Sequence, residues 1–243
     1  SDPDRACARA LELEDEGADV IDIGAESTRP GSARVPEAEE LRRLIPTLKR
    51  LKGQLRIPIS VDTYKSAVAE KALEHGAEII NDPSGSLFDP QLAKVASKWD
   101  AGLVLNHMRG TPETWAKLPP LKDVMGTIAA DLEAAVHRVQ RQGVQKYQIV
   151  IDPGIGFGKR REQNAEMIAR LGELKALDVP VLIGPSRKSF LKQETGEATE
   201  FATAAAVVAS IYYGAHILRV HDVKTMKVAI EIADAIRQQE IAG

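Results

Sequence analysis

The sequence predicts an α/β protein, a (β/α)8 TIM barrel whose first strand and loop 1 are missing from these 243 residues. Three observations lead there. Short runs rich in Val and Ile alternate with longer segments of helical period, the pattern of repeated βα units on a parallel sheet. The length suits one such barrel, usually about 250 residues. Every strand the pattern predicts ends on, or runs into, polar side chains, as in barrels whose chemistry sits at the C-terminal mouth.

The chain opens on a helical segment over 5–17, followed by a strand over 18–24. Leu41, Leu44, Leu48 and Leu51, spaced by three or four, mark the next buried helical stripe. Strands follow over 57–62, 77–81 and 102–107, with Asp89 before Pro90 placed to start a helix between the last two. Val124, Ile128, Leu132, Val136 and Val139 form the longest apolar stripe, which Gly143 ends. The remaining strands cover 148–152, 179–184 and 216–220, Gly172 interrupts the helix after the first of these, and a final helix carries Met226, Ile230, Ala233 and Ile236. Seven strands with eight helices, beginning on a helix, are one strand short of the closed barrel. An open doubly wound sheet is the competing architecture, but it more often carries fewer units and a Gly-rich dinucleotide turn after its first strand. Without a linker, low-complexity tract or repeat beyond the βα alternation, residues 1–243 are expected to form one domain.

Composition narrows the function. A net charge of -3, from 32 Lys and Arg against 35 Asp and Glu mixed along the chain, provides no basic field for nucleic acid. Any anion site must be local. The single cysteine, Cys7, cannot form an internal disulfide and lies in an Ala-rich helix as a small buried side chain; no CxxC or HExxH pattern indicates zinc. No apolar run nears the roughly 20 residues that span a bilayer, so a cytoplasmic protein without a membrane partner is expected.

The strand ends assemble a mixed polar set: acceptors in Asp22, Asp62 and Asp152, amides in Asn81 and Asn106, and cations in Lys188 and Arg219, with Arg29 on the barrel's second loop. One aspartate after a strand is often a turn former or a cap. Seven polar ends together suit a heterocycle bearing several donors and acceptors beside an anionic group. The stretch DPGIGFGK lacks the first glycine of a P-loop, and its Lys159 is followed by Arg160 rather than Ser or Thr, so it is not a nucleotide cradle. Its glycines are expected to bring backbone close to a flat ligand, with Phe157 as a stacking surface. Arg219 and His221 alternate around Val220, which on an extended chain would aim both at one anion.

IDIGAESTRPGS, ISVDTYK, GAEIIND, DPGIGFGK, SRKSF and RVHDV occur in that order between residues 21 and 223. With these stretches the chain resembles the dihydropteroate synthases of the pterin-binding barrel superfamily. The resemblance implies condensation of 6-hydroxymethyl-7,8-dihydropterin pyrophosphate with p-aminobenzoate, giving 7,8-dihydropteroate and pyrophosphate, a step of folate synthesis and the target of sulfonamides. It implies that Asp62, Asn81, Asp152 and Lys188 hold the pterin, and that Arg219 and His221 clamp the pyrophosphate. Thr28, Arg29, Pro30, Phe157 and Ser186, beside Lys188, would shape the p-aminobenzoate site; the catalytic set would be Asp62, Lys188, Arg219 and His221. Mg2+ and a homodimer are implied too. The metal's asparagine ligand would lie in the missing upstream segment, without which this chain would bind pterin but turn over poorly. Two other readings share the barrel: a methyltetrahydrofolate-dependent methyltransferase, which has no use for a pyrophosphate clamp, and a non-catalytic pterin-binding protein.

Overall fold

The computed structural model describes residues 2–27 and 32–242. Eight helices and seven strands alternate along the described residues: α1 (Pro3–Asp15), β1 (Ile21–Gly24), α2 (Glu37–Leu51), β2 (Ile59–Asp62), α3 (Ser66–Glu74), β3 (Ile79–Asp82), α4 (Leu92–Lys98), β4 (Gly102–Asn106), α5 (Val124–Gln140), β5 (Ile149–Asp152), α6 (Arg161–Ala169), β6 (Leu182–Ile183), α7 (Gly196–Tyr212), β7 (Ile217–Leu218) and α8 (Val223–Ala242). β1 to β5 form one parallel sheet in sequence order, and β6 pairs with β7, also in parallel. A single parallel bridge, Ile151 to Val181, joins the two groups. This order is that of a (β/α) barrel wall, with β1 and β7 as its two edges among the described residues.

The strands are shorter than their apolar runs, for identifiable reasons. Gly17 takes φ +102° and the Ala18 N–H returns to the Leu13 carbonyl, so the run's first residues close α1 instead of opening β1. Gly76 at φ +99° and the Ala77 bond to the Ala72 carbonyl repeat this device before β3. In the 179–184 run, Pro180 has no N–H for a ladder, and regular pairing is confined to Leu182 and Ile183. Its carbonyl still accepts from Ile151 N–H at 3.0 Å, holding this strand against β5.

The predicted helical stripes pack inward. Leu44, Leu48 and Leu51 of α2 and Val124, Ile128, Leu132, Val136 and Val139 of α5 are buried, as is Cys7 of α1. They meet the strand residues Val61, Ile80, Leu103, Leu105 and Ile151 in one core. In α8, Met226 and Ala233 are buried against Val207 and Ile211 of α7, but Ile236 does not join them and is 53% exposed. It extends a second apolar stripe, Val228, Ile232 and Ile236, on the exposed side of that helix. No described helix is long and apolar enough to cross a membrane.

Candidate active site

Parallel register brings the polar ends to one rim. Asp22 lies level with Ser60, Gly24 with Asp62, Asp62 with Asn81, and Asn106 with Asp152. These neighbours open a cleft lined by Asp62, Asn81, Pro83, Asn106, Asp152, Ile155, Phe157, Gly184, Lys188 and Arg219. Thus Asp62, Asn81, Asp152, Phe157, Lys188 and Arg219, six of the residues expected from sequence, share one wall-to-wall site. Thr28, Arg29 and Pro30 lie outside the described residues.

One side of the cleft is a carboxylate pair around a guanidinium. Arg219 donates from Nε to Asp22 Oδ2 at 2.8 Å, and a terminal nitrogen lies 3.8 Å from Asp62 Oδ2. Asp22 also accepts from Ser60 Oγ at 2.7 Å and from Asn81 Nδ2 at 3.2 Å. Burial, then the neighbouring Asp22 charge, pushes the Asp62 carboxyl up to about 7, against the pull of Arg219. Burial works against the charge on Arg219, yet Asp22 and Asp62 more than offset it and its pKa is raised.

Across the cleft, Lys188 Nζ sits 4.7 Å from the centre of the Phe157 ring, a cation held over a π face. Burial lowers its pKa while Asp152 and Asp62 draw it back. Asp152 Oδ1 accepts from Gly154 N–H at 2.8 Å. Burial raises the Asp152 pKa, and that backbone donor with the charges of Lys188, Lys159 and Arg219 opposes the rise. The result is a carboxylate, two amides, an ammonium and an aromatic face converging on one opening, with a guanidinium at its edge.

The glycines of DPGIGFGK serve the neighbouring loop more than a ligand. A Cβ on Gly154 would fall 1.9 Å from the His107 carbonyl, and one on Gly158 2.9 Å from the Arg109 carbonyl, so both give way to the loop after β4. Gly156 makes room for the Lys188 stem, whose Cδ would lie 3.4 Å from a Cβ there. Phe157 packs edge-on against Trp115, ring centres 5.3 Å apart, and presents its ring to Lys188.

Regular pairing in β7 is confined to Ile217 and Leu218, and the Arg219 N–H still donates to the Ile183 carbonyl at 3.0 Å. Arg219 turns into the cleft, while His221 Nδ1 lies 2.9 Å from Ser186 Oγ, and the His221 backbone N–H donates to that hydroxyl at 3.3 Å. Burial and the charges of Arg187, Arg219 and Lys188 depress the His221 pKa, so the ring is neutral at physiological pH. Arg187 has a left-handed backbone, φ +55°, and its Nε donates to Glu200 Oε1 at 2.5 Å, away from the cleft.

Three contributors escaped sequence reading. Asp22 and Asn106 stood among the polar strand ends but carried no role; Asp22 orients Arg219 and Asn81, and Asn106 anchors the loop after β3 through Pro83 O at 2.8 Å. Strand parity was the available signal, since Asp22, Ser60 and Asn81 fall on adjacent registers. Lys159 is the third, buried behind Asp152. His107, ambiguous in sequence, is a packed ring with Nε2 2.9 Å from Asp131 Oδ2, and burial first, then the Lys159 charge, lowers its pKa to about 4.

Residues 1–221 match the model of the pterin-binding enzymes. Among curated relatives, the dihydropteroate synthase of Synechocystis is 43% identical over 224 residues, covering 90% of this chain and 78% of that protein. Among solved structures, a Clostridium difficile dihydropteroate synthase determined in the presence of pteroic acid superposes with a TM-score of 0.90 at 42% identity, covering 96% of this chain and 88% of the other. A Yersinia pestis dihydropteroate synthase in complex with a sulfonamide drug gives a TM-score of 0.93 at 36% identity, covering 98% and 87%.

Proposed function

Because this chain belongs to the pterin-binding enzymes and, within them, matches dihydropteroate synthases along most of its length, we infer that it condenses 6-hydroxymethyl-7,8-dihydropterin pyrophosphate with p-aminobenzoate in folate synthesis. The observation that carries the reading is the convergence of Asp62, Asn81, Asp152 and Lys188 on one cleft with Arg219 at its edge. Pteroic acid, in whose presence the structure of one relative was determined, is chemically a pterin joined to p-aminobenzoate.

The residues divide the work by charge. Asp152 is an acceptor for the 2-amino and ring N–H edge, Asn81 can donate and accept, and Lys188 donates to ring acceptors. Departure of pyrophosphate leaves positive charge on the pterin methylene; the Asp62 carboxylate beside the ring stabilises it, and Arg219 receives the leaving oxygens. The arylamine is nucleophilic without prior deprotonation, so no dedicated base is required. Phe157 and the Ser186 hydroxyl, with Thr28, Arg29 and Pro30 of the barrel's second loop, are assigned to p-aminobenzoate. His221 is assigned to pyrophosphate beside Arg219.

Magnesium is proposed as the pyrophosphate's counter-ion. The described residues contain no group of three or more His, Cys, Asp or Glu side chains that could hold a metal. A cytoplasmic homodimer is the proposed state; Phe201 of α7 and the Val228, Ile232 and Ile236 stripe of α8 are the apolar surface that favours dimerisation. Incubating the full-length protein with the pterin pyrophosphate and p-aminobenzoate, and resolving products by chromatography, tests the activity. 7,8-Dihydropteroate and pyrophosphate in equal amounts are expected; their absence overturns it, and methyl transfer from methyltetrahydrofolate would support the other barrel enzyme.

A further inference from the structure

Lys159 stands behind the cleft rather than in it. Its ammonium donates to the carbonyls of His107 at 2.8 Å, Gly154 at 3.0 Å and Pro153 at 3.1 Å. An ammonium has three protons, and all three are committed to backbone. Lys159 is not among the residues lining the cleft, and it has no free donor to offer there.

Those carbonyls belong to two loops, His107 after β4 and Pro153–Gly154 after β5. The loops are stitched together elsewhere: His107 N–H donates to Asp152 O at 2.9 Å, Arg109 N–H to Phe157 O at 3.4 Å, and the Arg109 guanidinium to Gly158 O at 3.0 Å. A side chain at Gly154 would collide with the His107 carbonyl and approach Lys159 Nζ to 2.9 Å, so the glycine is what admits the ammonium to this position. The same Gly154 supplies the backbone N–H on Asp152 Oδ1.

We propose that Lys159 is a positioning residue for pterin recognition: an ammonium clasp that holds the Pro153–Gly154 turn with its N–H on Asp152 and sets a fixed positive charge behind that carboxylate, without touching substrate. Lys188 and Arg219 also face Asp152, but both front the cleft, where the ring acceptors and the pyrophosphate draw on their charge. Lys159 stays with the protein throughout. The electrostatics agree: burial raises the Asp152 pKa, and Lys159 is one of the charges opposing the rise. The ammonium is itself strained by burial, which drives its pKa well below that of a free lysine; Arg109 and Lys188 add to this, while Asp152 and Asp131 resist it. Each charge of the Asp152–Lys159 couple therefore supports the other.

The inference rests on Asp152 as the acceptor for the pterin edge, and one experiment separates the two. Bare 6-hydroxymethylpterin is titrated calorimetrically from acid to alkaline pH into wild type, Lys159→Met, Lys159→Gln, Lys159→Arg and Asp152→Asn. The neutral variants are expected to bind about tenfold more weakly at neutral pH, with the acid limb of the affinity profile moved up by about half a pH unit or more, because an ionised Asp152 has lost a favourable charge. Lys159→Arg should restore the wild-type midpoint, and KM for p-aminobenzoate at saturating pterin substrate should not change. A wild-type profile in the neutral variants, a loss uniform across pH, or an equal midpoint shift in Lys159→Arg overturns the clasp. Lys159→Gln keeps two N–H donors for the carbonyls and serves as the neutral variant if Lys159→Met does not fold. If Asp152→Asn binds pterin as wild type does, the assignment of Asp152 fails; if it abolishes binding while the Lys159 variants match wild type, the clasp alone fails.

Discussion

Arg219 and Asp22 come from opposite ends of the chain, yet Nε and Oδ2 meet at 2.8 Å, and the guanidinium also faces Asp62 at 3.8 Å. The arginine thus waits for its anion already oriented, its position set by the first strand and its charge balanced by two carboxylates. An incoming pyrophosphate meets a donor that need not be ordered on binding, which is how a fixed dipole or charge contributes to a transition state.

Arg219→Ala should therefore separate the substrates. Affinity for the pyrophosphate-bearing pterin is expected to fall roughly 10- to 100-fold, the range for losing charge-assisted hydrogen bonds. Bare pterin, which offers no phosphate, should lose no more than about threefold, part of it through the altered charge at Asp62. Isothermal titration with the two ligands checks this, and equal losses would place the anion site elsewhere.

Asp62→Asn should stabilise the fold while abolishing turnover. The Asp62 pKa in the folded protein, about 7, lies above its unfolded value near 3.8, so the folded state prefers the protonated carboxyl. Ionisation then works against the fold as pH rises between those values, and the cost is complete above the folded pKa. The asparagine variant should melt a few degrees higher at pH 8, on the order of 2 kcal/mol, with the gain vanishing towards pH 4. Its condensation rate should be lost, because an amide cannot balance the pterin cation. Melting curves across pH, beside single-turnover assays, report both. An unchanged or lower melting point at pH 8 would contradict the electrostatic account.

The sequence made the layout of this site legible because each strand supplies one polar end, and parallel neighbours put those ends on a common rim. Asp62, Asn81, Asp152 and Lys188 needed no more than that. What the sequence did not reveal depends on which side chain reaches across to which. Asp22 has the composition of a turn residue, and only its register opposite Ser60, with the return of Arg219 from the last strand, makes it an orienting group. The pairing of His221 with Ser186 was hidden because alternation along a strand does not say which side chain of a neighbouring loop a residue meets. The shortened strands are of the same kind, since helix closures at Ala18 and Ala77 consumed residues that look apolar enough for β structure.

Glu26, two residues after β1, belongs to a largely buried ion cluster. Lys65 Nζ bonds Glu26 Oε2 at 2.5 Å and also bonds Glu40, while Glu26 accepts from Tyr64 OH and Val35 N–H, both at 3.1 Å. Glu40 has a side chain 1% exposed, against 12% for Glu26. Lys65→Met leaves Glu40 buried without its cation and should destabilise the protein by about 3–5 kcal/mol, the usual cost of breaking a buried pair from one side. Adding Glu40→Gln should recover much of that loss, because the stranded charge is removed. Urea unfolding of the two single variants and the double variant measures the coupling, and strict additivity would show that the cluster does not act as a unit.

Phe201 on α7 is 69% exposed, and Val228, Ile232 and Ile236 on α8 are 63%, 60% and 53% exposed, on a helix pair whose other side already packs inward through Val207, Ile211, Met226 and Ala233. Spacing by four puts the three α8 residues on one face, so they form a stripe rather than scattered exposures. A stripe of this kind is ordinarily covered, and in a homodimer a second α7–α8 pair can cover it by the same surface. Ile232→Glu should convert a dimer to a monomer in sedimentation velocity with little change in the pterin cleft, since the substitution lies on the exposed side of α8 and not at the strand ends. Wild type sedimenting as a monomer at micromolar concentration would remove the basis for the dimer. An unaltered dimer in Ile232→Glu would move its interface to another face.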